Sequence, residues 1–403
     1  MFLGIGPEGP VRGRRVVITG MGVLACCGTG LDDFWDGLNR PGMEGEHRVP
    51  DFDPSAWFGP KDARRVDRFA QFSVAAADMA MTDAAAAGDI GADPDRSGVI
   101  FGTGIGGLET LEQQIAVYLE KGARRISPFL IPMIMANAGA AHVSMRAGWR
   151  GPCETITTAC AAGTHAVAGA ARLVSSGRCD VAIGGGAEAA MTPVGIGAFT
   201  NMTALSSSGV SRPFDARRDG FIVAEGAGAL VLESLDHAQR RGARIYGEIL
   251  GAGSTADAHH ITAPGPGGSG AAACMELALA DAGVGPEAIG HINAHGTSTP
   301  LNDLAESQAI AKVFGHPGPP VTSTKGVTGH ALGGAGGIEA VATTLAIHKR
   351  LIPPTAGYGE PDPEIALDIV HGQARAWEPA PSLSNSFGFG GHNGTLVIGP
   401  VEE

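Results

Sequence analysis

Three short stretches of this chain hold residues able to do covalent chemistry. The first, 155–174, opens with β-branched residues and turns into an Ala-rich run, with Cys160 at the join. That pattern predicts a strand end followed by a helix. A thiol at a helix N-terminus faces unpaired N–H groups and the positive end of the macrodipole. Both are expected to lower its pKa, and the same N–H groups can bind a developing oxyanion. Taken alone, a lone cysteine is more often a small buried apolar residue. Two histidines reverse that preference. His295 follows an apolar run and precedes Gly296, Thr297, Ser298 and Thr299, so it sits at a strand's end, where sites collect. His330 shares a Gly-rich loop with Lys325, ahead of a helical stretch carrying Glu339. A fourth stretch, 384–394, places Phe389 between glycines, which open backbone geometries closed to other residues. A bulky side chain on such a loop can act as a gate.

The elements that must position these residues alternate. Strands are expected at 15–20, 97–102, 179–185, 229–233, 245–250, 291–294 and 396–398. Helices are expected at 69–87, 270–282, 303–313 and 337–348. This alternation predicts an α/β layered fold with strands buried on both faces. No linker separates two bodies. The Pro/Gly-rich run 263–270 is read either as a mobile loop or as a plain surface connection.

Composition narrows the function classes. The 403 residues are 44% hydrophobic and 17% charged, as expected of a folded globular chain. The 63 glycines, many beside alanine as in 331–337, suit close backbone packing. A net charge of −13 argues against general nucleic-acid binding, though local basic patches remain able to dock an acidic partner. The six cysteines are scattered, without CxxC pairs or zinc spacing. No charge-free run is long enough to span a bilayer, and the start lacks a signal-peptide pattern. The expectation is a soluble, cytoplasmic enzyme that uses neither nucleic acid nor membrane.

Across nearly its whole length, from Arg14 to Asn393, the sequence resembles the elongating β-ketoacyl-[acyl carrier protein] synthases of the thiolase superfamily. The four motifs occur in that family's order. The resemblance implies an α/β, thiolase-like, five-layered αβαβα fold of two similar halves, taken here as 1–250 with the nucleophile and 251–403 with the histidines. It implies decarboxylative Claisen condensation of a Cys160-bound acyl chain with malonyl carried on acyl carrier protein. His295 and His330 match the family's two histidines, and Lys325 and Glu339 the supporting pair. Phe389 matches the gating aromatic, whose N–H joins that of Cys160 in the oxyanion hole. Thr297 and Thr299 match the holders of the phosphopantetheine arm, and Ile105 and Phe199 match acyl-pocket positions. Asn293, Glu339, Ser384 and Asn385 resemble a buried monovalent-cation (Na or K) site of some members, with a hydrogen-bonded polar cluster as the equal alternative. No cofactor is required by the resemblance, since the phosphopantetheine arrives on the carrier.

Lys61, Arg64, Arg65 and Arg68, and Lys121, Arg124 and Arg125, form two basic clusters suited to an acidic carrier. The family implies a dimer, either of identical chains or with a chain-length-factor homologue lacking the cysteine. Thr203, the short loop 206–211, the turn 24–28 and His392 depart from the usual pattern. They leave fatty acid and type II polyketide pathways both open. Three rivals remain. A degradative thiolase would need a second reactive cysteine near the C-terminus, which 384–394 lacks. A nucleotide-binding oxidoreductase is suggested by Gly251, Gly253 and Ala256, which imitate a GxGxxA turn. A non-catalytic chain-length partner would leave Cys160 inert.

Overall fold

The ten residues of β1 (Val16–Ala25) are buried without a break, so this strand must be covered on both faces. In the computed structural model, which describes residues 13–43 and 45–401 and the backbone of 5–6 and 9–10, helices supply that cover. The first half holds β1, β2 (Ser97–Gly102), β3 (Cys153–Ile156), β4 (Val181–Glu188) and β5 (Gly226–Ser234). The second holds β6 (Gly247–Ala256), β7 (His291–Asn293), β8 (Val321–Thr322), β9 (Ser382–Gly388) and β10 (His392–Gly399). The spatial order is β3-β2-β4-β5-β1, then β6-β10-β9-β7-β8. In the first half β2 runs parallel to β3 and β4, while β5 is antiparallel to β4 and β1. In the second half β7 runs parallel to β8 and β9, while β10 is antiparallel to β9 and β6. The two halves therefore repeat one order and one set of strand senses, joined where Val16–Ile18 pairs with 247–249.

Five helices complete the layers: α1 (Arg68–Ala84), α2 (Ala162–Ser175), α3 (Ser269–Ala282), α4 (Pro300–Phe314) and α5 (Ala335–Lys349). Helices α2 and α5 pack on each other and on strands of both halves, which makes them the middle layer. α1 covers the outer face of the first half, and α3 with α4 that of the second. This is the five-layered αβαβα arrangement. The middle layer explains the Gly/Ala-rich run: Ala335 through Ile347 are all buried. A Cβ on Gly163 of α2 would stand 2.7 Å from the Gly337 nitrogen of α5, so only glycine lets the two helices meet there.

Most expected elements are present with shifted ends, β3 being the strand end expected ahead of Cys160, whereas β8 and β9 are not among the expected strands. β3 is a short edge strand with exposed residues, and β9 opens Ser-Leu-Ser-Asn-Ser. Its serines and Asn385 are buried by hydrogen bonding, a state that hydrophobic periodicity does not signal. Residues 251–256 are strand, paired with β10, and do not form a strand-to-helix turn, which removes the dinucleotide-binding reading. The 250/251 boundary falls inside β6, at Leu250, the residue skipped where its pairing with β10 shifts register.

Candidate active site

Cys160 lies in the tight turn Ala159–Ala161 that leads directly into α2. Ala159 takes a φ of 50°, a left-handed geometry costly for a residue with a Cβ. Cys160 as a whole is 7% exposed. Its Sγ is 3.1 Å from His330 Nε2. The expected depressed pKa is not found: burial pushes the Cys160 thiol up to about 12, against the opposing pull of Lys325 and the N–H groups of Phe389 and Cys160 itself. Desolvation of a charged sulfur in this enclosed position outweighs the helix terminus. The resting group is therefore the thiol, and its nucleophilicity depends on a partner that takes the proton.

That partner is held rigidly. The His330 backbone N–H donates to the Ile222 carbonyl at 2.8 Å, and the His330 backbone carbonyl accepts the Ala224 N–H at 3.0 Å. The Phe221 ring meets the imidazole edge-to-face at 5.3 Å. His295 follows β7, and its ring lies 5.3 Å from that of His330 and 5.8 Å from that of Phe387. The turn after it is fixed by Glu306 of α4, which accepts the N–H groups of His295 and Gly296, each at 2.8 Å. Ser323 Oγ donates to the Gly296 carbonyl at 2.7 Å and so ties this turn to the loop carrying Lys325. Burial, reinforced by the Lys325 charge, holds both imidazoles well below their usual pKa. Both rings are neutral and can accept or donate a proton.

Lys325 and Glu339 form a fully buried ion pair behind the histidines. Burial pushes the Glu339 carboxyl up and Lys325 opposes it. Ion pairing keeps the positive charge close to Cys160, where it favours the thiolate that develops. A cleft of about 430 Å³ opens above the site. Cys160, His295, His330, Phe387 and Phe389 line it, together with Thr297 and Thr299, whose hydroxyls are 2.9 Å apart. Gly390 and Gly391 adopt φ of 84° and 73°, the backbone freedom expected beside Phe389.

Other expected residues are placed less centrally. Phe199 packs on Phe221 at 5.5 Å, in the apolar cluster that includes Cys160. Ile105 is 43% exposed in the single chain, near exposed Leu111, Ile115 and Leu119. Arg68 is committed to an ion pair with Glu225 at 2.6 Å and stacks on Phe72, which removes it from the free basic surface. Arg65 lies over the Phe129 ring, and Lys61, Arg64, Arg124 and Arg125 are exposed. Thr203 lines the cleft, and Asp219 accepts bonds from Ser206, Ser207 and Ser208, holding that short loop.

The four-residue polar set is divided by strand alternation. Ser384 Oγ lies 3.5 Å from Asn293 Nδ2, while Asn385 points to the opposite face, where its Nδ2 is 3.4 Å from Glu306 Oε1. Asn293 Oδ1 is buried without a hydrogen-bond partner and the Ser386 hydroxyl faces the Glu339 carboxylate, so the oxygens here include one with the free lone pairs a monovalent cation takes. The Asn385 side chain lies apart from these two groups.

Sequence reasoning missed Glu188, Glu306 and Phe221. The two carboxylates are fully buried, and burial pushes each up to about 7 against the pull of the N–H groups they accept. Glu306 carried a faint signal as an acidic residue within a predicted helix just after His295.

With this geometry in hand, comparisons with known proteins agree along the chain. Residues 40–238 match the beta-ketoacyl synthase N-terminal domain and 246–359 the C-terminal domain. A 3-oxoacyl-[acyl-carrier-protein] synthase 2 of Synechocystis sp. is 46% identical, over 96% of this chain and 98% of its own. The protein of the same name from Staphylococcus aureus is 42% identical over 97% and 99%. Among solved structures, the ishigamide ketosynthase/chain length factor superposes with a TM-score of 0.90 at 36% identity, covering 97% of this chain and 100% of that one. A type II polyketide acyl-carrier protein in complex with its ketosynthase bound to the hexaketide gives 0.89 at 33% identity, with 97% and 100% covered.

Proposed function

Given that this chain belongs to the β-ketoacyl synthase family, we propose that it elongates acyl chains by condensing a Cys160-bound acyl group with malonyl-[acyl carrier protein]. Neutral His330 takes the proton of Cys160 as sulfur attacks the acyl-carrier thioester, then returns it to the departing phosphopantetheine sulfur. The acyl group now sits on Cys160. Malonyl enters along Thr297 and Thr299, and its carboxylate leaves as CO2. The electron pair of the broken C–C bond becomes an enolate, and a His295 N–H donates to its oxygen. The enolate carbon attacks the acyl carbon, and the N–H groups of Cys160 and Phe389 bind the tetrahedral oxyanion. The Cys160 sulfur leaves as thiolate and is protonated through His330 by one proton drawn from solvent, the proton that decarboxylative condensation consumes overall. Every bond change is accounted for by these groups, that proton and the carrier's phosphopantetheine, so no resident organic cofactor is proposed. A monovalent cation, if bound by Asn293 and Glu339, would fix charge behind the histidines.

The observation that carries this reading is the 3.1 Å contact between His330 Nε2 and the Cys160 sulfur at the floor of a cleft that also holds His295. The partner is an acyl carrier protein, and Lys61, Arg64, Arg65, Arg124 and Arg125 are the proposed docking cations. The exposed apolar residues at 105–119 are proposed to meet a second subunit. No described helix is long and apolar enough to cross a membrane, and a cytoplasmic location is proposed. The test is to supply acyl-carrier and malonyl-carrier together and follow CO2 release and 3-ketoacyl-carrier by mass. Likeness to the ishigamide ketosynthase/chain length factor favours a second reading, the catalytic subunit of a type II polyketide pair. Condensation only after addition of a chain-length-factor homologue would select it.

A further inference from the structure

Glu188 ends β4 inside the protein, with no exposed surface and no use in the chemistry above. Its carboxylate is spent entirely on two loops. One oxygen accepts the Gly104 N–H at 2.7 Å and the Gly333 N–H at 3.1 Å. The other accepts Thr103 Oγ1 at 3.0 Å, and the Ile105 N–H also faces the carboxylate. Thr103, Gly104 and Ile105 begin the loop at the end of β2. Gly333 follows His330 by three residues, with Leu332 in between at a left-handed φ of 43°. The two loops touch only because both lack side chains there. A Cβ on Gly333 would stand 2.1 Å from the Gly104 nitrogen, and one on Gly104 would stand 2.7 Å from the Glu188 carboxylate. No cation stands among these partners. A buried carboxylate bonded this way is a clip between backbones and not an ion-pair member.

We propose that Glu188 is a positioning residue that clips the Ile105 loop to the His330 loop, so that the acyl chain on the Ile105 side sets the placement of His330 against Cys160. This rests on the condensing-enzyme reading of the site. A chain that shifts the Ile105 loop pulls on the shared carboxylate and so moves the loop bearing His330. Discrimination between chain lengths is then partly a property of the clip and not only of the pocket walls.

The experiment compares wild type, Glu188→Gln, Glu188→Ala and Thr103→Val for KM and kcat with butyryl- and dodecanoyl-carrier donors, malonyl-carrier being saturating. An amide can still accept the backbone N–H groups and donate to Thr103, so Glu188→Gln is expected within about threefold of wild type for both donors. Glu188→Ala releases both loops, and a misplacement of the acid–base pair is expected to change the ratio of the two kcat/KM values about tenfold or more. Thr103→Val removes its bond to Glu188 and the Gly106 N–H bond to the same hydroxyl, and is expected to move the ratio the same way by less. The proposal is overturned if Glu188→Ala lowers kcat equally for both donors with both KM values unchanged, as a loss of folded sites would. Should that variant not fold, an unchanged ratio in Thr103→Val overturns it instead. An absence of any acyl adduct on wild-type Cys160 would be a failure of the condensing reading itself, and is scored separately by intact mass.

Discussion

Replacing His330 with alanine tests the proton accounting at the nucleophile. With the Cys160 thiol pushed up to about 12, the thiolate at pH 8 is about one part in ten thousand. Wild type escapes this limit because His330 Nε2, 3.1 Å away, takes the proton as the sulfur attacks. Without it, only preformed thiolate can react. Acylation of Cys160 in His330→Ala is expected to fall by about 10²–10⁴-fold near neutral pH, the range for loss of a general base. It should also rise about tenfold per pH unit, as the thiolate fraction does. Quenched single-turnover acylation by an acyl-carrier, read by intact mass at several pH values, measures both. The reasoning fails if His330→Ala acylates within a few fold of wild type. It fails equally if alkylation of that variant's Cys160 levels off near pH 7–8, because the sulfur would then be a thiolate at rest.

His295→Ala should leave acylation of Cys160 within about threefold, since this ring has no bond to the sulfur, while malonyl-carrier decarboxylation drops about 10²-fold or more; CO2 release against adduct formation separates the two. Glu339→Gln leaves the Lys325 ammonium buried without its counter-charge and is expected to cost about 3–5 kcal/mol of stability, read from urea unfolding. Glu306 offers a pH test: its folded pKa is raised from 4.5 to about 7, so the native state binds more protons than the unfolded chain in that window. Its contribution to stability is present below about pH 4.5 and is lost as pH rises towards about 7. The stability gap between wild type and Glu306→Gln should therefore fall over that range in chemical unfolding, and a gap independent of pH would contradict the assignment. His295 and His330 act in the opposite sense, because their lowered pKa values withhold protons that the unfolded chain binds below about 6.5.

Much of the site was legible because its chemistry sits at element junctions. Cys160 at a strand-to-helix join, His295 at a strand end and His330 in a glycine loop each left a local mark, and the structure brings all three to one cleft. The residues that orient them left little. Glu188 reads as one more residue at the end of a glycine-rich strand, and its role appears only when loops 229 positions apart in sequence, at 104 and 333, share its carboxylate. Strand β9 was hidden for a related reason: its buried serines and asparagine follow no apolar alternation. The thiol's environment was misjudged because helix placement can be read locally, whereas desolvation depends on packing by Phe221, Leu332 and Ala190 from distant parts of the chain. Arg68 was likewise indistinguishable in sequence from its exposed neighbours until Glu225 came to meet it.

The central claim is that Cys160 carries the growing chain. Intact-protein mass spectrometry after mixing with acyl-carrier, beside Cys160→Ala, tests it directly. The account predicts an acyl adduct on the wild type only, discharged when malonyl-carrier is added and recovered as 3-ketoacyl-carrier. An unmodified Cys160 across acyl donors, with or without a second subunit, or an equal adduct on Cys160→Ala, would contradict it.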